Sequence, residues 1–137
     1  MEQVRSEMTV MGVYAHQDQE ATANHFVLMR DGRKRRAPIF VGQFEAFAIS
    51  VALEGEVPDR PFTHDTTMNL LALTGGVLEE AFINDLRDET FYAVLRVRVG
   101  DEVKELDVRP SDALALALRA KCPIFMADHA LEATVRT

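Results

Sequence analysis

The stretch ETFYAVLRVRV (89–99) sets Phe91, Ala93, Leu95, Val97 and Val99 on one side of a strand and Tyr92, Val94, Arg96 and Arg98 on the other. The alternation ends at Gly100-Asp101, a two-residue hairpin turn, and a further strand pattern follows in EVKELDVR (102–109). Such a pair is antiparallel, with one face in the core and the other open to water. The rest of the chain must therefore be arranged around a sheet.

Upstream, MTVMGVYAH (8–16) and ATANHFVLM (21–29) flank the polar QDQE and read as a hairpin. Asp31-Gly32 predicts a second turn, the basic loop RDGRKRR spans 30–36, and APIFVG (37–42) is a short strand. QFEAFAISVALEG (43–55) is a helix closed by Gly55. Its apolar residues lie nearly all round, which predicts a mostly buried helix. After the two-proline linker VPDRP, Thr63 is the expected N-cap of a helix over 64–74 that stops at Gly75-Gly76. VLEEAFIND (77–85) is a strand, joined to the next by a loop built on DLRD. PSDALALALRAK (110–121) mimics strand alternation, yet Pro110 at the first position, Ser111 and Asp112 in the first turn, and its alanines favour a buried helix. CPIFMA (122–127) is a final strand and DHALEATV a closing helical turn. The expected fold is α+β: a mixed, largely antiparallel sheet, two helices inserted mid-chain and another near the C-terminus, in a single domain over residues 1–137.

A chain of 137 residues with 47% hydrophobic and 27% charged residues has an ordinary globular balance. It has no membrane-length apolar run and no secretory leader pattern, and its single Cys122 cannot form an internal disulfide, so a cytoplasmic address is expected. The net charge of -7 argues against loose adhesion to nucleic acid. It leaves room for phosphodiester chemistry through carboxylate-held metals.

Polar residues gather at element ends in three places: Arg60, Thr63, His64 and Asp65; Asp85, Arg87 and Asp88; and Asp107, Arg109, Ser111 and Asp112. Glu45 falls among Ala48, Ile49 and Ala52, an unusual place for an unpaired acid, and Glu54 lies about 180° away on the same helix. Each group also has a structural explanation. Thr63 and Asp65 suit a helix start, His64 beside Met68 and Leu71 suits core packing, Asp85, Arg87 and Asp88 suit a polar turn, Asp107 and Arg109 suit a strand-end ion pair, and Ser111 and Asp112 suit capping. Asp112 and Arg119 can pair along one helix side. Arg60 and His64 are least explained, because a helix N-terminus does not favour a cation. No spacing here is a specific metal motif.

The blocks PIFVGQFEAFAISVALEG…RPFTHDTTMNLL, INDLRDETFYAVL and DVRPSDALALALR occur in register and together closely resemble the bifunctional nuclease domain family, over roughly residues 8–132. The resemblance implies a compact bacterial domain that cleaves DNA and RNA with a divalent metal, Mg²⁺ or Mn²⁺, and forms a homo-oligomer, with a dimer favoured. The matched polar positions are Glu45, Glu54, Arg60, Thr63, His64, Asp65, Asp85, Arg87, Asp88, Asp107, Arg109, Ser111, Asp112 and Arg119, with the aromatics Phe91 and Tyr92. Glu89 departs from the family pattern, which has a glycine after Asp88.

These readings give a first expectation, a metal-dependent nuclease. Its metal or water ligands are Asp107 and Asp112 with Glu45 or Asp85, its proton carrier is His64, and its phosphate is held by Arg60, Arg87 or Arg109. Arg33, Lys34, Arg35 and Arg36 are the expected substrate guides. A second expectation is a non-catalytic oligomeric binding or regulatory module whose polar blocks are internal ion-pair networks. An enzyme acting on a small phosphorylated or nucleotide ligand is the third.

Overall fold

The computed structural model describes residues 4–17, 19 and 23–135. The hairpin anticipated from residue 89 onward is present as β5 (Thr90–Val99) and β6 (Glu102–Val108), paired antiparallel. Ala93 and Leu95 are buried, while Val99, at the open end, is exposed. β4 (Val77–Arg87) pairs antiparallel with β5 and runs through Asp85-Leu86-Arg87. The DLRD segment is therefore mostly strand, and the turn is the two-residue Asp88-Glu89. Both turn residues have positive φ, 50° and 65°, as a tight hairpin twist demands.

A second antiparallel meander comprises β1 (Arg5–Gln17), β2 (Ala23–Arg30) and β3 (Arg36–Val41). The turn expected on QDQE falls largely on residues 18 and 20, outside the described residues. The meanders are joined by β7 (Ile124–Ala127), which pairs antiparallel with β1 and parallel with β4. Among the described residues this gives one seven-stranded sheet in the order β3-β2-β1-β7-β4-β5-β6, with the α+β character expected.

α1 (Gln43–Glu54), α2 (Thr63–Leu73), α3 (Pro110–Ala120) and α4 (Asp128–Val135) complete the described elements. The ambiguous alanine-leucine segment is helix α3, with Pro110 in its first turn and residues 113–117 all buried. These residues join Ile49, Ala130 and Leu131, together with Met8, Val27, Met29, Ile39, Ala81, Ile83, Leu95 and Met126 from the strands, in one core.

Two further local expectations are corrected. α1 ends at Gly55 with φ 72° as expected, but it is not mostly buried: Phe44 and Phe47 are 83% and 60% exposed. Its all-round apolar pattern exceeds what the sheet can cover. The N-cap of α2 is Phe62, not Thr63. Asp65 reaches back to accept the Phe62 N–H at 2.9 Å, so a carboxylate at the third helical position replaces the hydroxyl at the cap.

Candidate functional site

Edge strand β3, ending in Ile39-Phe40-Val41, and the opposite end of the sheet, Thr90–Tyr92 of β5 with Asp107 and Val108 of β6, line one cleft of about 800 Å³. The sheet is curled enough for its two ends to face each other around α1 and α3. Gly42 and Glu45 at the start of α1, Glu89, and Arg109 to Asp112 at the start of α3 complete the lining.

Pro110 starts α3, and Arg109 precedes it in an extended conformation, φ -71° and ψ 149°. That geometry turns the Arg109 side chain back over the first turn. Its Nε–H donates to Asp112 Oδ2 at 3.0 Å and its NH2 group to Asp112 Oδ1 at 3.2 Å. The NH1 group donates to Glu45 Oε2 at 3.1 Å. His64 Nε2 lies 2.9 Å from Asp112 Oδ1. Burial by itself would raise the Asp112 carboxyl, but hydrogen bonds from Arg109 and His64 hold it below its ordinary 3.8. Asp112 is thus an acceptor-only carboxylate, which makes Nε2–H the donor and leaves Nδ1 as the lone-pair nitrogen when the ring is neutral. The hydrogen bonds to Asp112, the nearby Asp112 charge and the bond to Glu45 raise the Arg109 pKa.

Glu45, Arg109 and Asp112 also line a second cavity, of about 450 Å³, with Phe44, Ala48, Pro61, Phe62, Thr63 and His64. The ion-paired trio therefore forms a wall between two spaces, with Asp107 on one side and His64 on the other. The Asp107 side chain is exposed and makes no hydrogen bond or ion pair with the other described residues, while its backbone pairs with Val94 of β5.

The remaining expected residues divide clearly. Asp85 does not join Asp107, Asp112 and Glu45. It accepts from the Leu86 N–H at 2.9 Å and contacts His129 Nε2 at 3.0 Å and Arg87 Nε at 2.8 Å. Arg87 stacks over the Tyr92 ring at 4.2 Å, and Tyr92 lines the cleft, so Arg87 stands at its margin. Arg60 is exposed before α2 and makes no ion pair with the other described residues. Arg119 does not pair with Asp112. Its Nε–H donates to Asp65 Oδ1 at 2.8 Å, and its NH1 group to the Ala48 and Ala115 carbonyls. Arg35 is turned inward: its Nε–H donates to the buried Asp31 at 2.7 Å and its NH2 group to Ser6 Oγ at 3.2 Å. Arg33, Lys34 and Arg36 stay exposed, but they stand at the far end of β3 from the cleft.

Among the described residues no three His, Cys, Asp or Glu side chains are disposed to hold a metal ion. The cleft nevertheless gathers four carboxylates, Glu45, Glu89, Asp107 and Asp112, against the one guanidinium of Arg109. Two of them, Glu89 and Asp107, make no ion pair with the other described residues, and unpaired carboxylates in an acidic cleft suit a cation such as Mg²⁺, which is commonly bound by one or two carboxylates together with substrate phosphates rather than by a protein cage.

The profile of the bifunctional nuclease domain matches residues 26–136. The chain belongs to the bifunctional nuclease domain family. Uncharacterized proteins from two Mycobacterium tuberculosis strains, CDC 1551 / Oshkosh and ATCC 25618 / H37Rv, are each 38% identical to it over 126 residues. Each match covers 91% of this chain and 73% of the relative. The resemblance carried by the three sequence blocks is thus borne out at the level of the family. Glu45 and His64 from the first block and Arg109 and Asp112 from the third meet in one network. Gly42 escaped the sequence reading, although a glycine directly before a helix start is a signal for close approach: a Cβ there would lie 2.2 Å from Glu45 Oε1. No helix among the described residues is long and apolar enough to cross a membrane.

Proposed function

We propose that this protein hydrolyses phosphodiester bonds in DNA and RNA, in the cleft between β3 and the β5–β6 end of the sheet, with a divalent cation. The observation that carries this reading is Arg109, fixed by Glu45 and Asp112 at the wall of an acidic cleft in a chain of the nuclease family. Arg109 is 63% exposed, so its guanidinium can meet a phosphate while its neighbours hold it in place. Asp107, with Asp112 or Glu45, would hold Mg²⁺ or Mn²⁺, which supplies Lewis-acid stabilisation of the phosphoryl oxygens and a more acidic water. Asp112 keeps His64 Nε2 protonated, so the other ring nitrogen is the one able to take or return a proton. Arg87, on Tyr92, is positioned to meet a neighbouring phosphate at the margin.

The test is cleavage of labelled single- and double-stranded DNA and RNA with Mg²⁺, with Mn²⁺ and with chelator, comparing wild type, Asp107→Asn and His64→Ala purified identically. Metal-dependent cutting lost in folded Asp107→Asn supports the reading. Equal cutting by all three proteins, or none by any, overturns it. A second reading, a non-catalytic oligomeric module, is favoured by one observation: Asp31, Asp65, Asp112, Glu45, Glu79 and Glu80 each already pair with an arginine. Absence of cutting would leave that reading in place.

A further inference from the structure

Tyr14, Phe26 and Phe40 form an aromatic ladder across β1, β2 and β3. Their ring centroids lie 5.6 Å and 5.5 Å apart. Tyr14 is 47% and Phe40 66% exposed, on the sheet face turned away from the core. A ladder by itself is ordinary cross-strand packing. Three observations on the same face carry it further.

The Tyr14 ring leans along its own strand over Gly12, where a Cβ would meet the phenol oxygen at 2.8 Å. The ring is thereby laid against the sheet and offers a face. The register also places Arg30 opposite Arg36 and Leu28 opposite Pro38, on the side shared with Phe26 and Phe40. No carboxylate occupies this face from Gly12 to His16, from Asn24 to Arg30, or from Arg36 to Phe40; the nearest on β1 is Glu7, beyond Thr9. In a chain of net charge -7 that is a local reversal of sign. Finally, Phe40 lines both the acidic cleft and the adjoining hollow formed with Asn24, His25 and Gln43, so the ladder runs directly into the cleft.

The geometry points to a binding platform for single-stranded nucleic acid on the outward face of β1–β3. Bases stack on Tyr14, Phe26 and Phe40, and the backbone is met by Arg30, Arg36 and the exposed Arg33 and Lys34. The ladder thereby delivers the next phosphodiester to the cleft. Stacking on aromatic faces is tolerant of base identity and suits both DNA and RNA. A duplex, whose bases already stack on each other, cannot use the ladder. This platform rests on reading the adjoining cleft as the place of cleavage. It also gives the exposed basic loop a role that its distance from the cleft would otherwise deny.

The experiment is fluorescence anisotropy in chelator, with a labelled single-stranded DNA and RNA of about twelve nucleotides, within the usual site size of such platforms, and a duplex of the same sequence. Wild type is expected to bind the single strands about tenfold tighter than the duplex, and Tyr14→Leu and Phe40→Leu each to weaken single-strand binding about tenfold. Tyr14→Phe and Phe40→Tyr, which keep a ring, are expected to bind as wild type. Leucine variants that bind like wild type, or a wild type that prefers duplex, would overturn the platform. So would absence of binding, and a fall in particle mass by light scattering in the leucine variants would then make a second copy the ladder's partner. Because chelator separates binding from cleavage, a wild type that binds through the ladder but never cuts keeps the platform and loses the nuclease. One that cuts with the ladder dispensable does the reverse.

Discussion

Arg119, in the last turn of α3, donates its Nε–H to Asp65, in the first turn of α2, at 2.8 Å. The Arg119 side chain is only 9% exposed, and the same guanidinium satisfies the Ala48 and Ala115 carbonyls. One side chain thus fixes three helices, α1, α2 and α3, around the ion-paired wall. Removing one partner of a buried pair leaves the other uncompensated. Arg119→Met is therefore expected to destabilise the protein by about 3 kcal/mol, read as a lower urea midpoint.

The acid limb of stability follows from Asp31, Asp65 and Asp112. Burial tends to raise each carboxyl, but hydrogen bonds and charge from Arg35, Arg119 and Arg109 respectively leave all three below their ordinary 3.8. A depressed folded pKa means that the unfolded chain takes up protons first. The stability is then complete above that ordinary value and drains away as pH falls through 3.8 toward the lower folded values. Urea midpoints at neutral pH and near pH 3 should show the fall, and Asp65→Asn should make it shallower. A wild-type midpoint that does not move on acidification would contradict the assignment.

Arg109→Lys keeps the charge but loses the fork that grips Asp112 and Glu45 together. Because the side chain is largely exposed, stability should change by about 1 kcal/mol or less. Cleavage should fall on the order of 100-fold if Arg109 stabilises the phosphoryl group. Full activity in the lysine variant would remove that role.

Gly42→Ala isolates Glu45. The backbone there is ordinary, φ -70°, so alanine brings no strain of its own, but its Cβ occupies the space of the Glu45 carboxylate. Glu45 must swing away from Arg109. The expected result is several-fold slower cleavage, on the scale of one weakened charge-assisted hydrogen bond, with the urea midpoint nearly unchanged. Unaltered kinetics would show that Arg109 needs only Asp112.

Glu89→Gly should stabilise. Glu89 holds φ 65° in the β4–β5 turn, where a side chain costs about 1 kcal/mol that glycine does not incur. The urea midpoint should rise accordingly. The same change removes one of the four cleft carboxylates, so any accompanying rise in affinity for a phosphodiester would report the cleft's negative field.

The sequence by itself determined the elements and much of their polarity. Period-two alternation located β5, Gly100-Asp101 located its turn, Pro110 located the start of α3, and Gly55 located the end of α1. These are local signals, carried by backbone conformation and side-chain period within a few residues. The three matched blocks likewise placed the chain in its family. Partner choice was not legible. Asp112 and Arg119 looked compatible on one helix, yet each found a partner from another element, because the packing of α2 and α1 on α3 brings His64, Glu45 and Asp65 there. The exposure of Phe44 and Phe47 was hidden for the same reason: an apolar pattern records what could be covered, and only the finite area of the sheet and neighbouring helices decides what is. The cleft is the clearest case. Phe40 and Asp107 belong to strands at opposite ends of the sheet order, and only the curl of the whole sheet brings them into one cleft.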